Sequence, residues 1–135
     1  MAPTVPVSVA IYETTGIKHY SLYLGAENDA EKTILHILGA RQRYFPQIIT
    51  PATAPDSNID FIELHRLCKI DASSIENVKT VAWGTPIRNH EPDYSCQDYV
   101  LDVLANLVRE AIVDKTNNGF STNLEGLKSK RESWH

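Results

Sequence analysis

Hydrophobic and polar positions alternate near the start of the chain. Val5, Val7, Val9 and Ile11 recur at every second position over residues 5–12, the mark of a strand with one buried face. Thr14-Thr15-Gly16 reads as a turn. Residues 19–24 then alternate again, with Tyr20, Leu22 and Leu24 on one face and His19, Ser21 and Tyr23 on the other. Residues 33–38 are apolar on both parities except at His36, as in an inner strand covered on both sides. Residues 44–60 carry Pro46, Pro51 and Pro55 among polar residues and predict the longest irregular stretch, either a lid or substrate wall or a passive connector. A fourth strand is predicted over 61–70, with Ile62, Leu64, Cys68 and Ile70 on one side and Glu63, His65 and Lys69 on the other.

The period then changes. Asp71 is placed to cap a short helix over 73–83, which Gly84 and Pro86 end. A stronger helix follows Ser95, a good N-cap with Asp98 at the third helical position. Tyr99, Val100, Val103, Leu104, Leu107, Val108, Ala111 and Ile112 fall on one stripe behind it. Four strands followed by two helices predict an α+β fold, a small antiparallel sheet packed against helices. The expected organisation is one domain over 1–115 and a polar C-terminal tail over 116–135, with no structure assigned to residues 128–135.

Composition narrows the function classes. A chain of 135 residues with 42% hydrophobic content suits a single domain with a real core. Its net charge of -4, from 17 acidic and 13 basic residues, lacks the basic footprint of nucleic-acid binding, so no nucleic acid is expected as a partner. No apolar run approaches the ~18 residues of a membrane span, so no integral membrane segment is expected. Residues 1–6 lack the basic and apolar regions of a signal peptide. A cytoplasmic, reducing location follows as the expectation, with Cys68 and Cys96 kept as free thiols.

Cys96 carries the most chemistry. Its predicted place is the first turn of the strongest helix, where free amides and the positive end of the helix dipole lower a thiol's pKa and can donate to an oxyanion. Ser95 and Gln97 would support that helix start and its oxyanion donors. The plain alternative is that Cys96 packs as a small apolar group. A thiol nucleophile needs a base, and His19, on the more polar face of the second strand, can project toward a helix terminus. His36 must find a hydrogen-bond partner in its apolar strand: either a backbone carbonyl, or His19 across a pairing of strands two and three. The second contact would orient the His19 ring as the third member of a triad. Tyr12 and Tyr23 are candidates for the substrate wall. His90 and His135 fall in a loop and the tail. His65 and Cys68 are sent to opposite faces of a strand by their odd separation, and phosphate-cradling glycine loops are absent, so neither a metal nor a cofactor is expected.

The segment His19-Tyr20-Ser21-Leu22-Tyr23-Leu24-Gly25, the later strand with His36, and Ser95-Cys96-Gln97-Asp98-Tyr99-Val100 opening a helix together resemble the lecithin:retinol acyltransferase-like proteins, a circularly permuted branch of the NlpC-type papain-like thiol enzymes. In that family the base histidine precedes the nucleophilic cysteine, which is the order here. The resemblance implies a permuted papain-like fold with Cys96 as nucleophile, His19 as base and His36 as third polar member. It implies a cysteine-dependent hydrolase or acyltransferase acting on an amide, ester or thioester through a Cys96 thioester. The membrane anchor of the phospholipid-acting relatives is missing, which points to a small-molecule or peptide acyl substrate. Two rivals stand beside this expectation: a non-catalytic binding module on the same fold, and a metabolite isomerase or cyclase working by acid-base chemistry alone.

Overall fold

Period-two patterning does its expected work at the start of the chain. In the computed structural model, which describes residues 3–117 and 119–134, β1 (Thr4–Tyr12) and β2 (His19–Leu24) form an antiparallel hairpin, with Val9 opposite Leu22 and Tyr12 opposite His19. β3 (Thr33–Ala40) adds to β2, β4 (Arg43–Ile49) adds to β3, and β5 (Phe61–Asp71) pairs with the other side of β1. The five strands make one antiparallel sheet in the order β4-β3-β2-β1-β5. Three helices complete the α+β architecture: α1 (Ile75–Gly84), α2 (Cys96–Arg109) and α3 (Phe120–Ser129). No helix among the described residues is long and apolar enough to cross a membrane.

The stripe on α2 buries Tyr99, Val100, Val103, Leu104 and Leu107 against the sheet face that carries Val7, Val9, Tyr20, Leu22, Leu24 and Leu35. Tyr99 also donates its hydroxyl to the Ala82 carbonyl of α1 at 2.8 Å, so its polar end is satisfied inside the core.

Four features differ from the sequence expectation, each for a local reason. The irregular stretch begins later than predicted because residues 43–49 are a strand. β4 lies at the sheet edge, where Pro46, opposite Ile37, lacks an N–H that no neighbour needs. In β5 the register skips Ile62 and Leu67, two bulges that break strict alternation. Leu67 and Ile70 therefore fill the core while Ile62 and Leu64, expected beside Ile70, stay exposed. Asp71 makes no capping bond, and a short 3₁₀ turn at Ala72–Ser74 leads into α1 instead. Beyond residue 115, where a polar tail is expected, α3 buries Phe120 and Leu127 with Leu124 partly covered, an i, i+4, i+7 spacing diluted by polar neighbours. His135 lies outside the described residues.

The helix stripe sets the main stability test. Leu104 is fully buried, so Leu104→Ala leaves a cavity and should lower unfolding free energy by about 2–5 kcal/mol in urea titrations followed by circular dichroism.

Candidate functional site

The first turn of α2 is fixed by its own side chains. Ser95 stands in extended conformation as N-cap and accepts the Gln97 amide on its hydroxyl at 3.2 Å, while its own N–H donates to Asp98 Oδ2 at 2.9 Å, completing a capping box. Arg131 braces that carboxylate, with Nε 2.7 Å from Asp98 Oδ1. Cys96 therefore begins the helix in a defined orientation, as the sequence predicts.

That helix start is docked on the edge of β2. The β2–β3 ladder consists of Leu24 opposite Thr33, Tyr23 opposite Ile34 and Leu22 opposite Leu35, and goes no further. Past Leu22 the backbone of Lys18 and Tyr20 bonds to other groups. The Lys18 carbonyl accepts Gln97 Nε2 at 2.9 Å and faces Cys96 Sγ at 3.8 Å, and the Tyr20 amide points at the same sulfur. Lys18 and Tyr20 are the chain neighbours of His19, so the nucleophile candidate sits against the strand segment that bears the base candidate. Among the described residues no hydrogen bond joins Cys96 Sγ to the His19 ring; the thiol's partner at rest is the Lys18 carbonyl. Cys96 is only 7% exposed, and burial pushes its thiol up to about 11 against the Tyr20 and Gln97 amides, which pull it down.

The two histidines meet beyond the end of the β2–β3 ladder. His19 Nε2 lies 2.9 Å from His36 Nδ1, and His36 Nε2 lies 2.8 Å from Gln47 Oε1, Gln47 being directly opposite His36 on β4. These contacts fix the tautomers. An amide oxygen only accepts, so His36 Nε2 carries a hydrogen. Neutral His36 then offers its Nδ1 lone pair to a hydrogen on His19 Nε2, which leaves the His19 Nδ1 lone pair without a hydrogen. Burial, with His36 close by, lowers the His19 pKa to about 4. Burial also lowers that of His36, opposed by its bond to Gln47.

The histidines open onto a cavity of about 370 Å³ lined by Tyr12, His19, Ser21, His36, Asn58 and Asp60 among others. The Tyr12 ring stands 5.8 Å from that of His19, centroid to centroid, so this candidate for the substrate wall borders the histidines. Tyr23 and Cys96 do not line the cavity. Tyr23 lines a separate hollow with Pro55 and Phe61, and Cys96 reaches the edge of β2 from the helical face of the sheet. Gln97 is wholly buried, with its amide side chain bonded to Lys18 and Glu132, so it acts as a brace.

Sequence reasoning missed three participants. Gln47 was hidden by the adjacent proline, although its alternation with Phe45 and Ile49 marks a strand face. Lys18 takes part through its backbone alone, which no side-chain pattern reveals. Glu132 meets Gln97 across 35 positions and Lys18 across 114, with no local signal at all.

Chemically, the arrangement offers a neutral thiol at a helix N-terminus, a neutral imidazole with a free lone pair, and an acceptor-anchored second imidazole behind it. Residues 7–114 match a family of unknown function. No curated protein and no solved structure matches the chain.

The depressed histidines make stability pH-dependent. His19 binds its proton below about pH 4 when folded and at about 6.5 when unfolded, so the unfolded chain holds more protons between those values. Stability is thus full above about pH 6.5 and falls as the pH drops toward about 4, with His36 acting in the same direction. Urea midpoints should decline between about pH 7.5 and about pH 5, a window above most carboxylate titrations, and His19→Gln should flatten the decline. A wild-type midpoint constant over that window would refute the assignment.

Proposed function

The chain belongs to that family, DUF6540, and from the geometry of the site we propose that it is a cysteine-dependent hydrolase or acyltransferase. Cys96 is the nucleophile, His19 the general base and His36 the group that orients it. One observation carries the reading: the run from Gln47 Oε1 through His36 to His19 leaves the His19 Nδ1 lone pair free on the strand segment against which the Cys96 sulfur packs. The order of base before nucleophile, the helix-borne thiol and the strand-borne histidines support a circularly permuted papain-like arrangement on the α+β frame.

Burial favours the uncharged form of both groups at rest. Thiol and imidazole are both neutral, so activation is base-assisted and not a standing thiolate–imidazolium pair. As substrate enters, the thiol exchanges its Lys18 carbonyl contact for His19 Nδ1. Sulfur attacks the acyl carbon while its proton passes to Nδ1, and amides of the first α2 turn donate to the developing oxyanion. The leaving alcohol, thiol or amine takes that proton as the carbon–heteroatom bond breaks, giving a thioester on Cys96. Water or an amine, deprotonated by the same nitrogen, then releases the acyl group. Small-molecule and peptide acyl donors both suit this chemistry.

A second reading is favoured by the absence of Cys96 from the histidine-lined cavity: acid-base isomerisation of a small metabolite by His19 without a covalent step. The two differ in their need for sulfur.

Incubation with 4-nitrophenyl acetate followed by intact-mass and peptide mapping tests the proposal. One acetyl group should appear on Cys96 and none on Cys96→Ala, and His19→Ala should slow acetylation by roughly 10²–10⁴-fold. Cys68, whose thiol burial raises to about 11, lies away from the site, and Cys68→Ala should acetylate as wild type does. Equal labelling of both cysteines, or a rate indifferent to His19, would sink the covalent mechanism.

A further inference from the structure

The C-terminal segment after α3 returns to the helix start that bears Cys96. Its Glu132 makes three hydrogen bonds there, and its Oε2 pairs with Lys18 Nζ at 3.7 Å. Oε1 accepts the Lys18 amide at 2.8 Å and Gln97 Nε2 at 3.1 Å, and the Glu132 N–H donates to Gln97 Oε1 at 2.7 Å. Both ends of the Gln97 amide are thereby occupied, and Gln97 Nε2 also reaches the Lys18 carbonyl, the same oxygen that faces Cys96 Sγ. Lys18 is held through its N–H by Glu132 and through its carbonyl by Gln97.

Resting on the Cys96–His19 reading above, we propose that Glu132 is a positioning residue for the reaction, clamping the first turn of α2 to the residue before His19 so that sulfur and imidazole keep one relative placement. The clamp acts on the edge of β2 that faces away from β1, since β1 alone pairs with His19, through Tyr12. The β2–β3 ladder has ended at Leu22, and no strand bond fixes Lys18 on that edge. Its carboxylate is ionised at neutral pH, held below the usual range first by the Lys18 amide. Neighbouring contacts reinforce the segment. Arg131 grips Asp98 and Asp93, and Trp134 donates its ring N–H to the Tyr94 carbonyl at 3.1 Å. Reaction rates are sensitive to displacements of about 1 Å between reacting groups, which is the scale on which such a clamp operates.

The acceptor oxygen gives a specific test. Both N–H bonds land on Oε1, so Glu132→Gln retains the acceptor while Glu132→Ala removes it. Acetylation of Cys96 by 4-nitrophenyl acetate, measured on the full chain over a range of ester concentrations, separates the limiting rate from half-saturation. Glu132→Ala should lower the limiting rate by about tenfold with half-saturation unchanged, and Glu132→Gln should recover it to within about threefold, with both variants showing wild-type circular dichroism. A wild-type rate in Glu132→Ala, or a Gln variant as slow as the Ala variant, overturns the positioning role while leaving the nucleophile assignment standing. Wild-type acetylation that does not depend on His19 overturns the catalytic reading and this role with it.

Discussion

The site depends on a seam where one kind of hydrogen bonding gives way to another. Three strand pairs join β2 to β3, and beyond them the edge of β2 is completed by the first turn of α2. Unpaired strand carbonyls and amides are costly when buried, so the Lys18 and Tyr20 groups require partners at that point. Gln97, Cys96 and Glu132 provide them. The need to satisfy a sheet edge thus brings a thiol, a helix N-terminus and a histidine-bearing strand to one place, and the same contacts bury the sulfur deeply enough to keep it protonated at rest.

That protonation state shapes the chemistry. An ion pair between thiolate and imidazolium would require two charges in a poorly solvated seam, and the burial that raises the thiol and lowers the imidazole opposes both. A neutral pair avoids this. On the proposed mechanism, charge develops only as the sulfur bonds to carbon, when the helix amides can take up the oxyanion and His36 can share the proton gained by His19. Gln47 matters because it fixes which histidine nitrogen is bare. A donor in its place would reverse the tautomers along the whole run and put a hydrogen on the nitrogen that the proposed mechanism uses as acceptor.

Much of this was legible along the chain, where local periodicity was intact. Alternation at Val5 to Ile11 and at His19 to Leu24 located the hairpin. His36, polar in an apolar inner strand, signalled a partner, His19 or a backbone carbonyl, and His19 is the one that meets it. Ser95 with Asp98 marked the start of α2 and hence the setting of Cys96. Legibility failed where sequence neighbours misled. Pro46 disguised an edge strand and its Gln47. Two bulges inverted the faces of β5, exposing Leu64 and burying Leu67. The clamp at Glu132 lay beyond reach because its bonds cross most of the chain, and an ionised side chain in a polar segment ordinarily signifies no more than solvation.

The C-terminal segment also meets an electrostatic conflict that the helix cap creates. Asp98 is needed to close the capping box, yet its negative charge stands near Cys96 and works against any charge developing on sulfur. Arg131 meets that carboxylate with two nitrogens, Nε at 2.7 Å from Oδ1 and a terminal amine at 3.1 Å from Oδ2, a bidentate geometry that offsets the acid's field while leaving its cap bond to Ser95 in place. The adjacent residue, Glu132, fixes position. One short segment therefore both orients the helix start and pairs its capping carboxylate, and residues that resemble a solvated tail become part of the framework around the sulfur.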